Sequence, residues 1–464
     1  MTTSTMATTE RLAAFAAGVR YDDLPSEVVN VLKRIALDTI GTTLAGTTLG
    51  GGCAEALQVV RGAEGSAESS VIGFGIKAPA LTAAFANGST AHALNYDPLG
   101  GEGGHLGVST LPSTLAAAER RGGVSGKELI AAMAAAAEVT ARLAAALARA
   151  GVNANERFLE GQLLGYFGAA AGAGHVLGLD AQRMHSAMGT ALMQAGGSMQ
   201  VVFDGDPPAK AIYGGFANLG GMLAALLAEQ GLGARIAAFE GQAGLYGLFY
   251  GGVYEQSVLE EGLGSDWFLL QARFKPWPTS GNVHPYIEAA TTIAQQGVKP
   301  NDIASIVARA GPYLRPWCEP IEERRRPPNP ASAANSIVYG IAKALVNGHV
   351  GLRDFTDEGL VQKDALRLAE HATCEIDEAY VGKGTVEVRT HDGRVFAETV
   401  THPLGHPSRP LSQDQLVAKF RDCAAHAAVL FPAAQLDMLI DELGALETIG
   451  DARRIGDLAR GPLA

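Results

Sequence analysis

The stretch NGSTAHALNYDPLGGEGGHLGVSTLP, Asn87–Pro112, follows His92 with a loop that carries Asn95, Asp97 and His105 among five glycines. An amide, a carboxylate and an imidazole at this spacing are groups that hold and move protons near neutral pH. Glycine allows backbone angles and close approaches that a Cβ forbids, and loops on a rigid scaffold carry function. Elsewhere Lys210, Lys275 and His284 stand as isolated polar residues in apolar, glycine-rich or proline-rich surroundings. Lysine is a compact cation able to hold a carboxylate. The competing reading of the same residues is a surface loop with a hydrogen-bonded structural histidine.

Familiar chemistries are missing. There is no G-x-G-x-x-G after a strand, no Walker A loop and no G-x-S-x-G elbow. The pairs Gly196-Gly197 and Gly214-Gly215 read as turn or helix-packing sites. Cys53, Cys318, Cys374 and Cys423 are far apart in sequence and show no C-x-x-C or Cys/His ligand spacing. They read as reduced, buried thiols of a cytoplasmic protein, and no metal or other cofactor is expected. The net charge of −12 argues against a general nucleic-acid or anionic-membrane surface. An anionic ligand therefore needs positive charge supplied locally.

The elements that must position these residues are mostly helical. A helix starts after Leu24-Pro25-Ser26-Glu27. In VSGKEL, Ser125 reads as an N-cap, Glu128 closes a capping box and Val124 staples onto Leu129. The alanine runs that follow to Ala150 fit a close-packed central helix. Ala131–Ala150 raises the membrane question, but Glu138 and Arg142 lie one turn apart and can pair, so a buried helix fits better. Helical patterns recur over Gly161–Leu179, Ala181–Gln194 and Ala209–Gln230. No targeting signal is read in MTTSTMATTERLAAFAAG. Composition shifts near Trp267. Strand patterns follow at Ile303–Ala310 and at Gly384–Thr390 with Val395–Val400 around Asp392-Gly393, a hairpin signal; Ala331–Asn347 between them reads as helix. The expected architecture is mainly α. Residues 1–268 and 405–464 form a large all-helical domain, and 269–404 a smaller α+β lid domain inserted before the C-terminal helices.

Several ordered segments resemble the MmgE/PrpD family of 2-methylcitrate dehydratases and cis-aconitate decarboxylases. They are RYDDLPSEVVNVLKRIALDTIGTTLAG, VIGFGIKAPALTAAFANGSTAHALNYDP, HLGVSTLPSTLAAAERRGGVSGKELIAA, AKAIYGGFANLGGMLAALLAEQG and KPWPTSGNVHPYIEAA. The resemblance spans residues of about 10 to 410. It implies a cofactor-free homodimeric enzyme for small di- and tricarboxylates, with a helical domain and an α+β lid. It places His105 on the catalytic histidine, Lys210 on the lysine of a Lys-x-x-x-Gly helix start and Lys275 on the lysine before the lid. It also places Asn95, Asp97, Leu159, Ser280, His284 and Tyr313 around the substrate. The pocket is then expected between the two domains.

Departures from the family pattern narrow the chemistry. Asn95 stands where the family has an acidic residue, Pro98 and Leu99 replace an Asp and a Thr, and Leu159 replaces a histidine. The expected activity is a cofactor-independent lyase or isomerase that removes a proton next to a carboxylate, on a substrate other than 2-methylcitrate or cis-aconitate. An epimerase on a dicarboxylate and a non-catalytic relative that keeps fold and pocket are the alternatives.

Overall fold

A computed structural model describes residues 7–462; residues 1–6, which open the segment read for a targeting signal, lie outside it. Helix accounts for 58% of the chain, so the protein is mainly α with some sheet. Two compact units divide the described residues. The first runs up to Phe203, resumes over Ala209–Arg273 and takes the chain again from Ser412; the second comprises Asp204–Pro208 and Phe274–Leu411.

In the first unit the helix Glu160–Val176 packs against Leu106–Arg121, Gly126–Arg149 and Tyr213–Glu229. Small residues bring these backbones together. A Cβ on Gly168 would stand 2.2 Å from Thr140 Oγ1, and one on Gly221 2.5 Å from Ala169 Cβ. Gly214 and Gly215 do the same where Tyr213–Glu229 crosses Ala80–His92, with an added Cβ 2.5 Å from Gly88 O and 2.1 Å from Ser89 Oγ.

The helix Gly126–Arg149 begins with the expected capping box of Ser125 and Glu128. It is long and apolar enough to cross a membrane, yet its apolar stretch is wholly buried inside the unit. Arg142 Nε donates to Glu138 Oε1 at 2.7 Å with both side chains fully buried. The remaining Arg142 N–H groups reach the carbonyls of Val258, Glu261, Gly262 and Asp266, and Glu138 accepts the amides of Phe268 and Leu269. A buried pair with every guanidinium proton and both carboxylate oxygens engaged is the arrangement that survives desolvation.

One expectation is corrected. The first unit is not all-helical, because β1 (Ser69–Val71) pairs antiparallel with β2 (Ile76–Ala78). The turn between them uses Gly73 and Gly75, both with φ near +74°, and Val71 and Ile76 face each other in the ladder. Three-residue strands are too short to show alternation, which is why the pattern escaped notice.

The second unit holds a four-stranded sheet in the order β4-β3-β5-β6. β5 (Gly384–Thr390) and β6 (Val395–Val400) form the expected antiparallel hairpin, with Arg389 opposite Val395. β3 (Ile303–Ala310) runs antiparallel to β5 and parallel to β4 (Ala372–Ile376), a strand the sequence reading passed over. The helices His284–Gln295 and Ile337–Asn347 pack together, the first also against β5 and β6. Ala331–Asn347 is broken near Ser336, whose hydroxyl accepts the Tyr339 amide and starts a new helix. All four cysteines are free; Cys374 on β4 is half-buried where burial was expected.

Candidate active site

The helix Ala80–His92 ends in a loop whose shape is fixed from both sides. Asn95 takes φ +50°, a left-handed turn that Asn tolerates, and its amide donates to His92 O at 2.8 Å. Lys419 of the C-terminal helix Gln413–Ala424 donates to Tyr96 O at 2.9 Å and pairs with buried Asp38 at 2.7 Å. Further on, Leu99 and Arg273 exchange backbone hydrogen bonds of 3.0 and 2.8 Å. Gly103 and Gly104, at φ +131° and +75°, deliver the chain to His105 at the start of Leu106–Arg121.

There the structure joins two of the expected residues. His105 Nδ1 donates to Asp97 Oδ2 at 2.7 Å; the aspartate is fully buried while the imidazole keeps 16% of its side-chain exposure. A carboxylate only accepts, so the proton sits on Nδ1 and Nε2 carries the lone pair. This orients a histidine as an acid–base group.

Three further side chains complete the cluster, none of them singled out by the sequence reading. His92 lies with its ring centroid 4.9 Å from that of His105 and 3.7 Å from that of Tyr213. His92 Nδ1 donates to Ala211 O at 2.8 Å. Burial, reinforced by His105, lowers the His92 pKa to about 3, so this ring is neutral at physiological pH. Burial, reinforced by the charges of Asp97 and Glu160, holds the Tyr213 hydroxyl far above its ordinary value, so it stays protonated. Glu160 is buried at the first turn of Glu160–Val176. Burial raises its pKa, and the nearby His105 pulls it back. His92 stands in the quoted AHALNY segment and Tyr213 in the quoted AKAIYGG segment, so motif membership could have pointed to each, though no spacing joins either to His105.

Lys210 sits in the short helix Pro208–Ala211, half-buried, and its charge opposes protonation of His92. Leu159 is buried beside Glu160, its amide donating to Gly197 O at 3.0 Å. The second unit holds the other candidates. Lys275 is buried; buried His284 starts its helix edge-on to Trp277, with centroids 5.3 Å apart; Ser280 is half-buried, its amide donating to Ala334 O at 2.9 Å. Tyr313 is 52% exposed on a 3-10 turn.

Among the described residues, His92, Asp97 and His105 each offer one ligand atom within 4.8 Å of the others. A tetrahedral ion with bonds of about 2.1 Å needs its ligand atoms about 3.4 Å apart. The His105–Asp97 separation of 2.7 Å is that of a hydrogen bond instead. A second pair, His402 and His406, has H-x-x-x-H spacing and stacked rings 4.3 Å apart, and the sequence reading overlooked it.

The model of the MmgE/PrpD N-terminal domain matches residues 10–256, and that of the C-terminal domain matches residues 277–439. The chain belongs to the MmgE/PrpD family. Its relatives include the cis-aconitate decarboxylase of Aspergillus terreus, 27% identical over 90% of this chain and 89% of that protein. The human cis-aconitate decarboxylase is 27% identical over 98% and 95% respectively, and the Mus musculus protein 25% identical over 98% and 93%. In this MmgE/PrpD chain the His105–Asp97 pair, the glycine loop that delivers it and Lys210 all lie within the N-terminal match.

Proposed function

We propose that the protein is a cofactor-independent lyase or isomerase that removes a proton from a carbon next to a carboxylate of a small substrate. The observation that carries this reading is the His105–Asp97 hydrogen bond of 2.7 Å, buried at Asp97 and open at His105. Family membership and cis-aconitate decarboxylase relatives support a carboxylate lyase.

In this scheme His105 Nε2 accepts the proton, and Asp97 holds the ring and stabilises the imidazolium. Negative charge then grows on the carboxylate oxygens of the substrate. Lys210 stabilises it, and such a contact is strong where water is scarce. Tyr213 and His92 stay neutral and contribute hydrogen bonding and shape rather than charge.

The substrate is proposed to differ from 2-methylcitrate and cis-aconitate. Asn95 supplies an amide where the family pattern has a carboxylate, and Leu159 removes a polar group, which favours fewer carboxylates or an apolar substituent at that end.

A panel of mono-, di- and tricarboxylates incubated in heavy water tests the reading. Deuterium wash-in at the carbon next to a carboxylate, with net loss of water or carbon dioxide, identifies a lyase; wash-in with stereochemical inversion identifies an isomerase. A panel that neither exchanges nor binds would leave a non-catalytic relative.

A further inference from the structure

His105 faces charged or titratable groups from four surrounding segments. They are His92 from Ala80–His92, Asp97 from the loop, Glu160 from Glu160–Val176 and Tyr213 from Tyr213–Glu229. His92 and Tyr213 are held uncharged by burial. Lys210 acts on His92. The carboxyl groups beside His105 are those of Asp97 and Glu160.

Glu160 is tightly built into this place. The nearby Gly104 amide, one residue before His105, favours its charged form, and Asn155 Nδ2 donates to Oε2 at 3.3 Å. Its own amide donates to Asn155 Oδ1 at 3.1 Å. A Cβ on Gly103 would stand 2.4 Å from Glu160 Oε1. On the other side, a Cβ on Gly161 would stand 2.5 Å from His105 Cδ2 and 2.6 Å from Tyr213 Oη. Two glycines thus leave room for one carboxylate and one imidazole to share the same corner.

We propose that Glu160 is a positioning residue for His105: its carboxylate stabilises the imidazolium that forms when His105 takes a proton, and its close seat against Gly103 sets the loop that aims the ring. The effect is reciprocal. Burial disfavours charge on Glu160, and a protonated His105 favours it. Two carboxylates then serve one base, Asp97 through Nδ1 and Glu160 through space. The proposal rests on His105 as the proton-transfer group of the reading above.

Histidine ring and glutamate carboxyl carbons of the full-length protein are labelled with carbon-13 and titrated by NMR. The His105 signal is identified by its loss in His105→Gln. In Glu160→Gln the His105 midpoint is expected to move to lower pH by about half a unit or more, a roughly threefold loss of proton affinity. Glu160→Asp should recover most of it, and the acid limb of kcat/KM should follow. If Glu160→Gln does not fold, the reciprocal experiment decides: in His105→Gln the Glu160 carboxyl should titrate at higher pH than in the parent protein. An unchanged midpoint in either folded variant overturns the proposal. Full turnover in His105→Ala would instead overturn the assignment of the base, whatever the titrations show.

Discussion

At the scale of single residues, the proposed proton transfer rests on His105 and the groups packed around it. Replacing His105 by Ala is expected to leave fold and substrate affinity in place while the chemical step slows roughly a hundredfold or more; single-turnover kinetics on the identified substrate check this. Lys210→Ala should raise KM and lower kcat together, because a carboxylate is charged in the ground state and more so in the transition state. His92 makes a separate prediction about stability. Its folded-state pKa of about 3 lies below the ordinary value of 6.5. The unfolded chain therefore binds the extra proton. The contribution is fully present above pH 6.5 and is lost as pH falls towards 3. Melting temperatures of the parent and His92→Gln should converge between pH 8 and pH 5, and parallel curves would exclude a buried neutral His92.

At the scale of elements, the long helix Gly126–Arg149 anchors the first unit through Glu138 and Arg142. The guanidinium gathers four carbonyls from residues 258–266, so it ties an irregular segment to a regular one. Removing one partner of a buried pair leaves the other charge uncompensated, which costs about 3–5 kcal/mol. Arg142→Ala should therefore shift urea denaturation of the first unit well to lower concentration, and a shift under about 1 kcal/mol would show that water re-enters freely. The alternation of β5 and β6 and the Ser125 capping box were both readable from spacing, since each is a local rule. The pairing of β1 with β2 and of β4 with β3 was not, because ladders join residues that spacing does not relate.

At the scale of the whole molecule, the homodimer is the expectation that the family resemblance carries, and apolar alanine-rich helices would agree with it. The apolar stretch of the longest of them, Gly126–Arg149, is wholly buried within the first unit, so its apolarity does not require a partner. The exposed apolar side chains of that unit include Met193 at 81%, Phe203 at 64% and Ile236 at 43%. Exposed apolar residues bind a partner only where they form a contiguous patch, so the dimer is tested at these positions. Light scattering at micromolar concentration should give twice the chain mass of 48.0 kDa, and Met193→Asp with Phe203→Asp should return it to the monomer. A monomer at that concentration in the parent protein would refute the dimer.

The sequence by itself determined the helical class, the motif order of the MmgE/PrpD family and the candidates His105, Asp97 and Lys210, because periodicity, caps and motifs are written in neighbouring residues. Glu138 and Arg142 could be paired for the same reason, one turn apart on one helix. Only tertiary structure decided that His92, Tyr213 and Glu160 share the corner of His105. These residues come from different helices, and no spacing rule connects positions 92, 160 and 213. Their electrical state was likewise undecided until burial was known, since an exposed histidine and a buried one are the same letter. Burial makes His92 neutral and keeps Tyr213 protonated. It thereby makes His105, with its buried Asp97 and partly open ring, the proton-transfer group of the proposed function.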